Sequence, residues 1–382
     1  MQMCLIMVTG AIIADSPFVR RGLGALARVP ETERGAVVWM AFFSMTLCWV
    51  HWGLGMIASA FLARRIVLHR PSTDYRLLVA TAYFGMGAVW HAGLSGSAPL
   101  LVATPGHFLE AQFGIIPASA TIFSGFNLSL LAATMGALGA LAWALYPANP
   151  ADAYILDPRL LDELEDPPRS SPIPAGSPFL AWIEDSRLLN GILGLLGAAW
   201  LVWDTAAKGP ALTFNKVNFF FLMLGLLAHP SPRSFAAAAA RAASYVSGII
   251  IQFPFYAGMY GIIKGAGLEI LLGQWFVNAA TPRTFPLIVY WYSGILNYFV
   301  PSGGSKWAIE GPYILEAAQR LGVAPGKAVL AYAWGDMATD MIQPFFCLPL
   351  LGIARLEFKD ILGYEALAFI VCVLIGSAAF LL

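Results

Sequence analysis

Charge is scarce in this chain of 382 residues: Asp, Glu, Lys and Arg together make up 12%, where a soluble domain carries about 25%. The 22 basic and 22 acidic residues cancel, so nothing points to nucleic acid or to any strongly charged partner. Cysteine is scarce too. Cys4, Cys48, Cys347 and Cys372 stand singly in apolar runs, without the paired spacing of a metal or redox site, and read as buried thiols. No nucleophile–base spacing, metal motif or nucleotide-binding glycine loop occurs, which speaks against an enzyme. Met1 to Ala14 is apolar but has no basic stretch before it, so it reads as a short membrane helix rather than a cleaved leader.

What the chain does have is apolar length. Hydrophobic residues make up 59%, mean hydropathy is +0.71, and runs of about 18 or more apolar residues recur, each long enough to span a bilayer. The fold class is an all-α polytopic membrane protein. Residues 1–147 form a first unit, 148–186 a linker and 187–382 a second unit. The linker holds seven prolines and eight acidic residues against two basic ones, a composition with local structure at best.

Two apolar runs are broken by glycine-loosened polar sequence. One break is Trp49-Val50-His51-Trp52-Gly53-Leu54-Gly55 within 36–63, and the other is Val300-Pro301-Ser302-Gly303-Gly304-Ser305-Lys306-Trp307 within 285–318. Backbone that leaves the helix inside hydrocarbon survives only where protein, water or a ligand satisfies it. Paired breaks in two halves are the best sequence pointer to a transporter's binding site. Arg28, Arg34, Arg64, Arg65 and Arg70 flank 36–63 on both sides, so the run enters from the cytoplasm and returns as a re-entrant hairpin with its tip near Trp52. The 285–318 run has few basic flanks and opens from the opposite side. Two further crossings, 77–103 and 327–353, are interrupted at His91 to Ser97 and around Asp340 to Pro344.

Adding 250 to each number superposes the halves. Gly53 then meets Gly303, Gly85 meets Gly335, and Pro99-Leu100-Leu101 meets Pro349-Leu350-Leu351. Only ten of 54 positions from 50 to 103 are identical, so the shared register of tip, break and closing Pro-Leu-Leu carries the case. With opposed hairpins this is an inverted repeat, with two re-entrant hairpins and two broken transmembrane helices.

The runs Gly93-Leu94-Ser95-Gly96-Ser97-Ala98-Pro99-Leu100-Leu101-Val102-Ala103-Thr104-Pro105-Gly106, Phe123-Ser124-Gly125-Phe126-Asn127, Gln252-Phe253-Pro254-Phe255-Tyr256-Ala257-Gly258 and Val300 to Gly304 resemble the short-chain fatty acid transporter family over essentially the whole chain. The resemblance implies a multi-pass protein of the bacterial cytoplasmic (inner) membrane. It implies uptake of a small monocarboxylate such as butyrate or acetoacetate by H⁺- or Na⁺-coupled symport through alternating access, with no cofactor. A membrane-embedded enzyme or a channel is the alternative, and a homodimer stays open. The family also implies two further helices before the segment matching Met1. Runs 188–204 and 214–229 likewise have no counterpart before residue 1. Where neutral residues or glycine are expected of the family, this chain carries His51, His91, Lys306, Glu310 and Asp340.

A carboxylate brought to mid-membrane needs donors in place of its water, and free backbone N–H groups with serine hydroxyls supply them. Ser95, Gly96 and Ser97 from one half and Ser302, Gly303, Gly304 and Ser305 from the other are the substrate candidates. Small residues can equally serve only close helix packing. Lys306 can pair with the substrate or with Glu310, one turn on. Ionisable groups at membrane depth cost roughly 3 kcal/mol or more each and mark function by default. Asp336 and Asp340 share a helix face, and either can carry a proton or bind Na⁺ with exposed carbonyls near Gln343 and Pro344; Asp340, at the break, is the first choice as coupling carboxylate. His51 and His91 can titrate near neutral pH, though a hydrogen-bonded core histidine is the plainer reading of each.

Overall fold

The computed structural model describes residues 2–157, 177–209, 212–246 and 265–382, with 250–251, 254–255, 258–259 and 261–262 between them. Residues 158–176 of the linker, and Gln252, Phe253, Tyr256 and Ala257 of the third family-like run, lie outside the described residues. Among those described, every regular element is helical. The first half contains α1 (Gln2–Ala14), α2 (Pro17–Leu26), α3 (Glu33–Val50), α4 (Trp52–His69), α5 (Tyr75–Ala88), α6 (Ser97–Val102), α7 (Glu110–Phe113) and α8 (Gly125–Leu145). The second contains α9 (Pro178–Asp185), α10 (Arg187–Lys208), α11 (Phe214–Ala228), α12 (Pro232–Ala243), α13 (Leu268–Ala279), α14 (Phe285–Phe299), α15 (Gly303–Arg320), α16 (Pro325–Ala338), α17 (Leu348–Ala354) and α18 (Phe358–Leu381).

Helices α8, α10 and α18 are long and apolar enough to cross a membrane, and α5 with the following 3₁₀ turn and α6 forms a candidate span bent by 40°. The outer faces of α10 and α18 expose Leu195, Val202, Ile370 and Leu374, as a helix facing lipid would. The apolar run 235–263 is not one helix. α12 closes at Ala243, and Ser244 opens a 3₁₀ turn by donating its hydroxyl to the Arg241 carbonyl at 2.7 Å.

Residues 33–69 fold back on themselves, and His51 is the hinge. Its extended backbone (φ −157°, ψ 102°) ends α3 by donating N–H to the Leu47 carbonyl. Its side chain then starts α4 by accepting the Leu54 N–H at 3.1 Å. One residue thus satisfies orphan groups of both helix ends. At the open end Arg70 donates to the Pro30 carbonyl at 2.9 Å, and Ser72 to Glu33. Ser302 caps α15 in the second half, accepting the Ser305 N–H.

Element limits correspond between the halves. Adding 250 to the limits of α5, 75 and 88, gives 325 and 338, the limits of α16. The 3₁₀ turn Trp90–Ala92 corresponds in the same way to Thr339–Ile342, and α6 to α17, within a residue or two. α3 packs on α5 as α14 packs on α16. A Cβ at Gly85 would stand 2.2 Å from the Ser44 carbonyl oxygen, and one at Gly335 would stand 1.9 Å from that of Tyr290. Both positions require glycine because backbone meets backbone there. Contacts across the halves are reciprocal: α4 touches α17 and α15 touches α6, while α5 touches the Thr339–Ile342 turn and α16 touches the Trp90–Ala92 turn.

Candidate functional site

The two broken helices meet break to break, and the chemistry sits in that junction. His91 lies in the first 3₁₀ turn because α5 ends at Ala88. The Ala98 N–H donates to its Nε2 at 3.1 Å, so Nε2 carries no proton. Nδ1 then holds the proton and donates to Asp336 Oδ2 at 2.7 Å. His91 is therefore neutral and fixed in one tautomer by partners on both nitrogens.

Asp336 closes the contact between halves. Its second oxygen lies 2.9 Å from Lys306 Nζ. Lys306 donates to the Ser293 carbonyl at 2.9 Å and to Ser293 Oγ at 2.7 Å, and its ammonium stands 4.4 Å from the Tyr332 ring centre. An ammonium has three N–H groups; two go to Ser293, and Asp336 Oδ1 is an ion-pair partner that accepts no hydrogen bond. Glu310, one turn on, is left at 3.4 Å with neither carboxylate oxygen hydrogen-bonded. Lys306, Glu310 and His91 are fully buried, and Asp336 is 1% exposed. Gly303 lets the second tip approach this group. A Cβ there would stand 2.6 Å from the His91 ring, and the Gly303 carbonyl accepts the Tyr332 hydroxyl at 2.7 Å.

Asp340 is likewise buried, in the second 3₁₀ turn. Its carboxylate accepts from Trp90 Nε1 at 3.0 Å and Asn297 Nδ2 at 2.8 Å, and its carbonyl accepts the Tyr83 hydroxyl. Trp90 and Asp340 are themselves 250 apart, so corresponding positions of the halves touch each other.

The remaining candidates divide. Ser95 Oγ accepts the Trp52 N–H at 2.9 Å and ties the first tip to the first break. Gly96 lies against the His91 carbonyl, and Ser97 begins α6, buried. Ser302 is buried, whereas Gly304 and Ser305 are half-buried. His51 is not brought to the junction; its ring lies tilted against Phe221 of α11, 4.0 Å between centres. The Gln343 side chain is spent locally, accepting the Phe345 N–H. Trp90, Asn297, Ser293 and Tyr332 are the partners that residue-by-residue reading missed. Asn297 alone carried a signal, as an amide inside an apolar run. No cluster of three His, Cys, Asp or Glu side chains suited to a metal ion occurs among the described residues. An apolar groove of about 230 Å³ beside Thr339 is lined by Ile295, Tyr298, Phe299 and Phe369. It presents no charged group and is not where a carboxylate would be held.

The family model for the short chain fatty acid transporter matches residues 1–382. A protein of Escherichia coli (strain K12) named "Putative short-chain fatty acid transporter" is 40% identical over 364 residues, covering 95% of this chain and 82% of its own. One of the same name from Haemophilus influenzae is 37% identical over 371 residues, with the same coverage. Among solved structures, the Alcanivorax borkumensis YdaH transporter superposes with a TM-score of 0.59 at 17% identity, covering 99% of this chain and 83% of that one. Neisseria gonorrhoeae MtrF, of a class of antimetabolite efflux pumps, superposes at 0.52 with 16% identity, covering 98% and 80%. At such identities the structures speak for the fold alone.

Proposed function

Because the chain belongs to the short-chain fatty acid transporter family, and is a transporter rather than an enzyme, we propose that it carries small monocarboxylates of the butyrate or acetoacetate type across the bacterial cytoplasmic membrane by cation-coupled symport. The observation that carries this reading is the buried group at the junction. Among the described residues Lys306 is the one cation there, against the carboxylates of Asp336, Glu310 and Asp340. An anionic substrate joining them adds a further negative charge, which membrane depth makes costly unless H⁺ or Na⁺ enters with it. Symport follows from that balance. Lys306 takes the substrate carboxylate by exchanging a partner, the glycines and serines of the second tip supply N–H and O–H donors, and Asp340 binds the coupling cation.

Alternating access rests on the internal correspondence. Reciprocal contacts are the mark of a two-fold relation, and they support an inverted repeat in which 33–69 and 285–320 are re-entrant hairpins entered from opposite faces. Burial of both breaks suits a state closed to both sides.

Uptake of labelled monocarboxylates of two to six carbons into proteoliposomes, under separate Na⁺ and H⁺ gradients, tests the transport reading. Accumulation should depend on one gradient and saturate; flux that is gradient-independent and non-saturating would leave a channel. Cysteines placed at 30 and 68 should label from the cytoplasmic side and one at 324 from outside. Labelling of 30 and 68 from opposite sides would remove the re-entrant hairpin.

A further inference from the structure

A further carboxylate sits deep in the protein, outside the junction. Glu365 lies in α18, a helix long and apolar enough to cross a membrane, and is fully buried. Neither of its oxygens meets a hydrogen-bond donor among the described residues. A carboxylate in hydrocarbon with no donor and no counter-charge is among the costliest arrangements a protein can hold. Leucine would fill the same helix face at no such cost, so packing does not explain the residue.

Its surroundings are those of a proton site rather than a metal site. α18 packs against α5, α8, α14, α16 and the Thr339–Ile342 turn. Their titratable groups are Tyr75, Arg76 and Tyr83 on α5, Tyr290, Tyr292 and Tyr298 on α14, Lys327, Tyr332 and Asp336 on α16, and Asp340 in the turn; α8 has none. Those close enough to act on Glu365 electrostatically are the Tyr83 hydroxyl and the thiols of Cys347 and Cys372. The cations are engaged elsewhere: Arg76 pairs with Asp360 at 2.9 Å, Lys327 lies over Phe126, and Lys306 lies in the junction. Tyr83 connects the two regions, since its hydroxyl is bonded to the Asp340 carbonyl.

We propose that Glu365 is a proton-binding site of the transport cycle, loaded in the conformation described and emptied to water when the seam between α5 and α18 opens. The step is an acid dissociation: the carboxyl O–H bond breaks, its electron pair stays on Glu365, and the proton passes to a water that enters the seam. The charge left behind holds the seam open, because reclosing it over an unpaired carboxylate is prohibitive. Tyr83 and the turn bearing Asp340 line that seam, so emptying Glu365 is felt at the junction. This rests on the transporter reading but not on the identity of the cation bound at Asp340.

The test begins without substrate. Infrared spectra of the protein in a bilayer at neutral pH should contain a carboxylic-acid C=O band that is lost in Glu365→Gln. A band of equal size in wild type and variant overturns the proposal. In proteoliposomes, Glu365→Gln should lose proton-driven accumulation by about tenfold or more while keeping substrate exchange within about twofold, since the amide imitates the loaded acid. Glu365→Asp, which keeps a titratable carboxyl, should retain part of the proton dependence. Unchanged proton dependence in Glu365→Gln sinks the site and leaves the transporter reading intact. Absence of substrate exchange in wild type counts against that reading, and the infrared result stands apart from it.

Discussion

The two hairpin tips occupy corresponding places in the chain and are held by opposite means. The first, at His51, is closed by neutral groups: an imidazole nitrogen accepts from Leu54, and Ser95 accepts from Trp52. The second, at Ser302, is built beside a full charge, with Lys306 four residues on, bonded to Ser293 and ion-paired with Asp336. Position 306 corresponds to Met56 in the first half. The same backbone device thus stands beside neutral groups in one half and beside charged ones in the other. The charges at the second tip lie within reach of one another, which lowers the cost of holding them at such depth.

The contrast breaks most sharply at Lys306. Lys306→Gln leaves Asp336 and Glu310 without a cation, a loss of about 3–5 kcal/mol for a buried pair. Uptake should fall by well over tenfold and the unfolding midpoint should drop. Pairing it with Asp336→Asn should restore part of the stability but not the transport. Normal uptake by the single variant would mean that the charge is structural and the tips equivalent.

Next in size is Asp340→Asn. The amide keeps one of the two oxygens that accept from Trp90 and Asn297 and is uncharged like the loaded acid, so exchange should persist and uphill accumulation should vanish. Normal accumulation in the variant would remove Asp340 as the coupling residue. Asp336 lies one turn before the break, and Asp336→Asn should reduce uphill accumulation less than Asp340→Asn. Its contacts with His91 and Lys306 give it a share in holding the halves together, and thermal unfolding will weigh that share.

The halves should behave alike at their glycine crossings. Gly85→Ala and Gly335→Ala each force a methyl against a carbonyl oxygen and should cost about 1–3 kcal/mol, the usual range for overpacking. A large difference in unfolding midpoint between the two would show that one crossing has slack. The smallest effect belongs to the neutral tip. Ser95→Ala removes one hydrogen bond to the Trp52 N–H and should cost about 1 kcal/mol, with uptake little changed.

Breaks, repeat length and helix class could all be read from the residues, because each leaves a local trace. Gly303 and Gly304 interrupt an apolar run, and the shift of 250 aligns Gly85 with Gly335. The pairings could not be read. His91 and Asp336 are 245 residues apart, and no periodicity announces that a histidine of one half will serve an aspartate of the other. His51 shows the plainer case. It stands at a break and is ionisable, and its ring caps α4 and lies against Phe221 of α11, away from the junction. Glu365 is open to the same depth argument as Asp340, but it lies in an unbroken helix, where no break in the sequence marks it.

The backbone contacts at Gly85 and Gly335 bear on mechanics. A joint made of side chains can yield by changing rotamers, but carbonyl against α-carbon has no such freedom. Each crossing therefore behaves as a weld that fixes α3 to α5, and α14 to α16, at the distance backbone contact sets. Whatever compliance the two halves keep between them is left to the hydrogen-bonded turns where Trp90 meets Asp340.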